Sequence, residues 1–154
     1  MKYPILNLPK CELRTRLNPK GWAEVWDTQR RKYVKLTPEE WVRQHFVRYL
    51  TGSLGYPASV VGNEIQIAVG ETVKRCDSVV FSSEGKPLVI LEYKAPQVEL
   101  TQKVFDQIAR YDTALQVPYL VVSNGLQHYC CHLRAEEHRF EFLREIPRWE
   151  EIQP

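Results

Sequence analysis

What the 154 residues lack narrows the field first. No run approaches the ~18 consecutive apolar residues of a membrane span, and residues 1–7 lack the apolar stretch of a secretory leader. No membrane partner and a cytoplasmic address are therefore expected. The four cysteines, Cys11, Cys76, Cys130 and Cys131, show no C-x-x-C spacing, so reduced thiols are expected. Internal repeats and low-complexity linkers are absent. So is a strong excess of either charge: the net is +2, which excludes a highly basic scaffold that coats nucleic acid and an acidic tail protein.

What is present reads as a folded domain. Hydrophobic residues make up 44% and charged residues 26%, the composition of a soluble globular protein. The length suits one domain over 1–154, with an irregular lead-in at 1–21 and a core at about 36–133. The small net charge hides an asymmetry. Residues 1–50 carry 11 Lys and Arg against 5 Asp and Glu, whereas 51–154 carry 10 against 14. A polyanion would meet the first third.

The chain is punctuated by clear signals. Residues 22–34 alternate around a polar turn at 27–32, which predicts a hairpin. Thr37, Pro38 and Glu40 spell a capping box with proline at the first helical position. Val42, Phe46, Tyr49 and Leu50 then place one helical face in a core. From Val60 the period becomes two, predicting strands over 60–69, 75–81 and 87–94. Pro96 breaks the chain. A helix follows over 100–115, with Val104, Ile108, Tyr111 and Leu115 on one face. Strands at 118–123 and 127–133 flank Asn124-Gly125, a strong hairpin turn. Helix, three strands, helix and two strands predict an α/β fold, a mixed β-sheet flanked by helices.

The strand at 87–94 carries an anomaly. It is apolar on both faces, as a central strand should be, yet it ends in Glu92 and Lys94, two charges on one face. If Glu84-Gly85 is a two-residue loop, apolar residues meet apolar ones across the hairpin and Asp77 faces Glu92. Two carboxylates with Cβ atoms ~4.5–5.5 Å apart repel, and a divalent cation between them removes the conflict. Oxygen ligands favour Mg²⁺ or Mn²⁺. Asp77 and Glu92 are thus candidate metal ligands, and Lys94, ~7 Å along the strand, is placed to orient a water or stabilise a phosphoryl transition state. The same residues also suit a strand-end salt bridge, Asp77 with Arg75 or Lys94 and Glu92 with Lys94.

Asp77 followed by Glu92-Tyr93-Lys94 resembles the signature of the PD-(D/E)xK nuclease superfamily, with Cys76 where its name has proline. The motifs starting at Thr37, Lys74 and Gly85, then Gln107-x-x-x-Tyr111 and Ser123-Asn-Gly125, occur in order over about 24–133. This series closely resembles the N-terminal nuclease domain of type I restriction enzyme R (motor) subunits. The resemblance implies a restriction-endonuclease-like fold and a Mg²⁺- or Mn²⁺-dependent DNA endonuclease. It implies catalytic roles for Asp77, Glu92, Lys94 and Gln107, and DNA engagement at Tyr111, although Tyr111 also fits the apolar stripe of its helix. Other nucleases of this kind use a glutamate from the first helix; Glu39 and Glu40 are candidates there and Glu64, on the first strand of the sheet, is a third, with Glu40 read as a cap and all three more often structural. No Gly-x-x-x-x-Gly-Lys-Ser/Thr occurs, so a motor or specificity subunit would be a separate partner. Double-strand cleavage also suggests a homodimer. The alternative is a nuclease-fold subunit that binds DNA or a partner protein without cutting.

Other features carry less. Arg30, Arg31 and Lys32 at the first hairpin tip suit DNA phosphates, supported by Arg14, Arg16 and Lys35, or a solvated turn. Trp22, Trp26 and Trp41 suit base stacking or packing. His128, Cys130 and His132 share a strand face, but ~13 Å between the outer two is too far for one zinc ion. The stretch 136–153 is expected to close over the fold.

Overall fold

Thr37 begins the main body of the fold as its sequence predicts. A computed structural model describes residues 3–137 and 139–152; the N-terminal reading at Met1 and Lys2 and the last residue of 136–153 lie outside the described residues. The Thr37 hydroxyl accepts the amide of Glu40 at 3.1 Å and opens helix α1 (Pro38–Gly52). The Glu40 side chain, however, does not complete a capping box. It turns inward to Arg30 and Gln44, while Glu39 is exposed.

Before α1 lies a small antiparallel sheet of β1 (Thr15–Leu17), β2 (Ala23–Asp27) and β3 (Lys32–Lys35). The β2–β3 hairpin falls where the alternation places it. β1 lies within the stretch expected to be irregular, because three residues are too few to show a period.

After α1, six strands form one sheet in chain order: β4 (Val61–Val69), β5 (Thr72–Phe81), β6 (Pro87–Tyr93), β7 (Tyr119–Ser123), β8 (His128–Arg134) and β9 (Arg139–Leu143). Only the β6–β7 pair is parallel. Helix α2 (Gln102–Leu115) makes the crossover that a parallel pair requires. β9 and the short helix α3 (Trp149–Ile152) come from the stretch read as closing over the fold.

The two faces of the sheet bury separate cores. On one, Val80, Val89, Leu91, Tyr93 and Val121 pack against Val42, Phe46 and Leu50 of α1. On the other, Ile67, Val79, Ile90, Leu120 and Val122 pack against Ile108 and Leu115 of α2. At the β7–β8 turn, Gly125 has φ +86°, and a Cβ there would lie 2.7 Å from Leu6. Asn7 donates to the Gly125 carbonyl at 2.8 Å, so this glycine admits the N-terminal segment to the core.

The β5–β6 hairpin has the predicted register where it matters. Val80 faces Val89, Val79 faces Ile90 and Ser78 faces Leu91. Nearer the turn a bulge intervenes, and Phe81 faces Pro87 instead of the predicted Leu88. The loop is one residue longer than predicted, since Ser82 and not Ser83 closes it, donating to the Lys86 carbonyl at 2.7 Å.

Candidate active site

The β5–β6 ladder stops at Ser78 and Leu91. Asp77 and Glu92, the next residues, stand at the fork where the strands part. The Asp77 carboxylate accepts the Tyr93 amide at 2.8 Å, replacing a ladder bond. Its neighbour Glu92 lies close enough to feel its charge. The two carboxyls are neighbours, and a salt bridge also forms here, though with other partners than the sequence suggests. Arg75 pairs with Glu64 at 3.1 Å, and Glu92 pairs with Lys74 rather than Lys94.

Glu92 is 9% exposed. Burial, and then the charge of Asp77, push its carboxyl well above the usual carboxylate range, while Lys74 opposes them. The Lys74 ammonium also sits 5.3 Å from the Tyr111 ring centroid. Behind it on α2 is Asp112, 1% exposed, with neither carboxylate oxygen hydrogen-bonded. Burial, partly offset by Lys74 and reinforced by Glu92, pushes this carboxyl up to about 8. Two buried carboxyls, Glu92 and Asp112, therefore face one ammonium, and Asp77 adjoins Glu92. A divalent cation beside Asp77 and Glu92 would favour the ionised form of Glu92. Among the described residues no three His, Cys, Asp or Glu side chains are grouped closely enough to hold a metal. Asp77 and Glu92 could offer two oxygen donors to an ion such as Mg²⁺ that keeps several waters.

A second charged cluster supports Asp77 from the α1 side. Arg43, 5% exposed, donates to the Asp77 carbonyl and, at 2.7 Å, to Glu64. Its Nε lies 3.2 Å from Glu40, and Glu40 reaches Arg30 at 2.8 Å. Arg30 also pairs with Asp27. From Asp27 a second route returns to the site: Asn63 donates to Asp27 at 2.9 Å, Ser78 to Asn63 at 2.7 Å and the Tyr93 hydroxyl to Ser78 at 2.9 Å. Glu64 stands across from Asp77 with φ +56°, an uncommon conformation for a non-glycine residue. Burial pushes its carboxyl up, but Arg43 and Arg75 hold it below the usual range.

The comparisons with known proteins agree with this arrangement of strands. The family described as "Type I restriction enzyme R protein N terminus (HSDR_N)" matches residues 38–147. The chain belongs to this family. No curated protein matches it. Among solved structures, it is similar to a fragment of a protein described as an HsdR subunit of a type I restriction enzyme from Vibrio vulnificus YJ016. The TM-score is 0.54 and the identity 17%, over 76% of this chain and 24% of that one. This likeness supports the mixed α/β fold. The chain spans about a quarter of the length of that relative.

Within this family member, the remaining sequence candidates separate. Lys94 follows β6 directly; its amide donates to the Ser123 carbonyl at 2.9 Å. Its side chain is half-buried, with no ion pair or hydrogen bond among the described residues. Gln107 is exposed on α2. Tyr111 is 48% exposed beside Lys74 and not in the core. Arg30 is consumed by Asp27 and Glu40, which leaves Arg31 and Lys32 as the exposed cations of the tip. His128 hydrogen-bonds Ser123 at 2.7 Å and His132 stacks on Tyr119. Sequence reasoning missed Lys74, Asp112 and Arg43. Asp112 had a signal: Val104, Ile108, Asp112 and Leu115 form the true apolar stripe of α2, and a carboxylate interrupts it.

Proposed function

We propose that this chain is a metal-dependent endonuclease domain that hydrolyses DNA phosphodiester bonds. The observation that carries the reading is the fork: Asp77 and Glu92 together, in a cluster with more carboxyls than cations. Asp77 and Glu92 would hold Mg²⁺ or Mn²⁺, which supplies a water of lowered pKa and neutralises charge on the phosphoryl group.

The chain's own residues do the rest. The Tyr93 amide and the Arg43 guanidinium fix Asp77 from both of its ends. Lys74 neutralises Glu92 until a metal or substrate displaces it. Lys94, uncommitted to any internal acceptor, presents Nζ to a phosphoryl oxygen or to the attacking water. The water oxygen bonds to phosphorus, one ester oxygen leaves, and the proton shed by the water is balanced by the proton taken up by the leaving oxygen. Gln107 and Tyr111, one turn apart on α2, line the approach beside Lys74. The partners in this reading are DNA, a separate motor or specificity subunit, and a second copy of the chain for double-strand cleavage. Its setting is cytoplasmic; among the described residues no helix is long and apolar enough to cross a membrane.

Incubating supercoiled and linear DNA with Mg²⁺ or Mn²⁺ tests the reading. The wild type is expected to cut, and Lys94→Ala to lose ~10²–10³-fold in rate with its melting temperature unchanged. Equal cutting by both sinks the assignment. DNA binding without cutting by the wild type favours a non-cutting subunit instead.

A further inference from the structure

The outer face of the small sheet has a composition that fold stability does not require. In its register Arg16, Glu24 and Lys35 lie in one row across the strands. Arg14, Trp26 and Tyr33 lie in the next, with the Trp26 amide donating to the Arg14 carbonyl at 2.8 Å. On the opposite face Val25 and Asp27 are completely buried, whereas Thr15, Leu17 and Ala23 stay exposed. The outer rings are only half-buried, and Arg14, Arg16 and Lys35 are exposed.

Each of these cations rests on a ring. The Arg16 guanidinium is 3.8 Å from the Tyr33 centroid, and Arg14 is 5.5 Å from Trp26 and 5.8 Å from Tyr33. The Lys35 ammonium is 5.2 Å from Trp22. Trp26 and Tyr33 brace each other edge to face at 5.2 Å. A cation on an aromatic face is held in place without spending its N–H donors. Arg14 and Lys35 have no carboxylate partner among the described residues. The face has one acid, Glu24, already held by Arg16 at 2.9 Å and Asn18 at 3.1 Å.

Charge complementarity therefore points to an extended polyanion. From β1 to β3 is ~10 Å, a distance over which one DNA strand offers about three phosphates. The sheet is also fixed to the site at the fork. Asp27, at the end of β2, begins both routes to it, through Asn63–Ser78–Tyr93 and through Arg30–Glu40–Arg43. We propose that the outer face of the β1–β3 sheet docks the sugar–phosphate backbone of DNA, with Arg14, Arg16 and Lys35 contacting phosphates from aromatic seats. This rests on the nuclease reading and adds a place where the substrate is held away from the scissile bond.

The test uses the full chain and a fluorescein-labelled DNA duplex of arbitrary sequence, with binding followed by anisotropy across a salt series and cutting followed in parallel. Arg14→Gln with Lys35→Gln is expected to weaken binding about tenfold and to reduce the slope of log K against log salt by about 2, since each removed cation leaves one phosphate with its counterions. Tyr33→Leu keeps every cation and removes a seat; it is expected to weaken binding a few-fold with the slope unchanged. Melting temperatures of both variants confirm that they fold, and Arg134→Gln with Arg139→Gln, on β8 and β9, should bind like the wild type. If the Arg14/Lys35 variant binds with wild-type affinity and slope while the wild type cuts DNA, the docking face is wrong and the nuclease reading stands. If the wild type neither binds nor cuts, both fall. A charge variant that binds an acidic protein more weakly but DNA equally well also overturns the proposal.

Discussion

Two clusters of buried charge flank Asp77, and they are built on opposite plans. On the α1 side, Asp27, Glu40 and Glu64 meet Arg30, Arg43 and Arg75, and each carboxylate has a guanidinium within 3.2 Å. On the α2 side, Glu92 and Asp112 share Lys74, and Asp77 adjoins Glu92. The first cluster is closed, with every charge answered from within the chain. In the second, burial holds the Glu92 and Asp112 carboxyls toward their protonated forms around a single ammonium. Buried ions are costly unless compensated, so in the metal-dependent reading proposed above the second cluster is the one that a cation from outside would relieve.

The clusters should respond to acid and base in opposite ways. Asp27 and Glu64 are pushed up by burial, but their hydrogen bonds and arginine partners hold both below the usual range. Their contribution is present above the unfolded pKa of ~4 and is lost as pH falls through the folded value. Asp112 has the reverse sign. Burial holds its folded carboxyl up to about 8, so the unfolded chain sheds the proton first. Stability then declines from about pH 4 to about pH 8 and is flat above.

Substitutions can break this comparison. The largest effect is expected from Glu92→Gln, which removes a proposed metal ligand. Titration calorimetry should show no Mn²⁺ binding, and cleavage should fall at least ~10³-fold. A variant that binds and cuts normally would mean that the second cluster is not a metal site. Next, Arg43→Met opens the closed cluster and leaves Glu40 and Glu64 short of a partner. Denaturant unfolding should show a loss of ~3–5 kcal/mol, and a loss below ~1 kcal/mol would show that the cluster is not a support. Lys74→Met takes away the ammonium, so Mn²⁺ should bind about tenfold more tightly, by removal of a like charge beside the ion. The smallest effect is that of Asp112→Asn. In chelator, its unfolding midpoints at about pH 5 and about pH 8 should differ less than those of the wild type; an unchanged difference would place the titration elsewhere.

Much of this was legible in the residues. The Thr37-Pro38 start of α1, the 22–34 hairpin and the pairing of Val79 with Ile90 each follow from local chemistry, and that last register alone brings Asp77 to Glu92. What stayed hidden depended on distant partners. Glu40 has the spacing of a capping residue, yet Arg30 and Arg43 draw it inward. Arg30 looks like one of three tip cations until Asp27 claims it. β9 escaped because its residues alternate charge and ring in a way that an exposed edge also allows. Lys74 lies three residues before Asp77, where simple alternation would put it on the opposite face, yet it reaches Glu92 and Tyr111.

The bond from the Tyr93 amide to the Asp77 carboxylate has a practical consequence for anyone who wishes to silence this domain. Asp77 is part of the backbone's own accounting: it accepts an N–H that the ladder would otherwise have paired. Alanine at this position removes the charge and also orphans a peptide amide beside a central strand, so lost cutting in Asp77→Ala would confound chemistry with local unravelling. Asparagine keeps an oxygen to accept that N–H. Asp77→Asn is the cleaner instrument, and amide exchange at Tyr93 reports whether the fork has kept its shape.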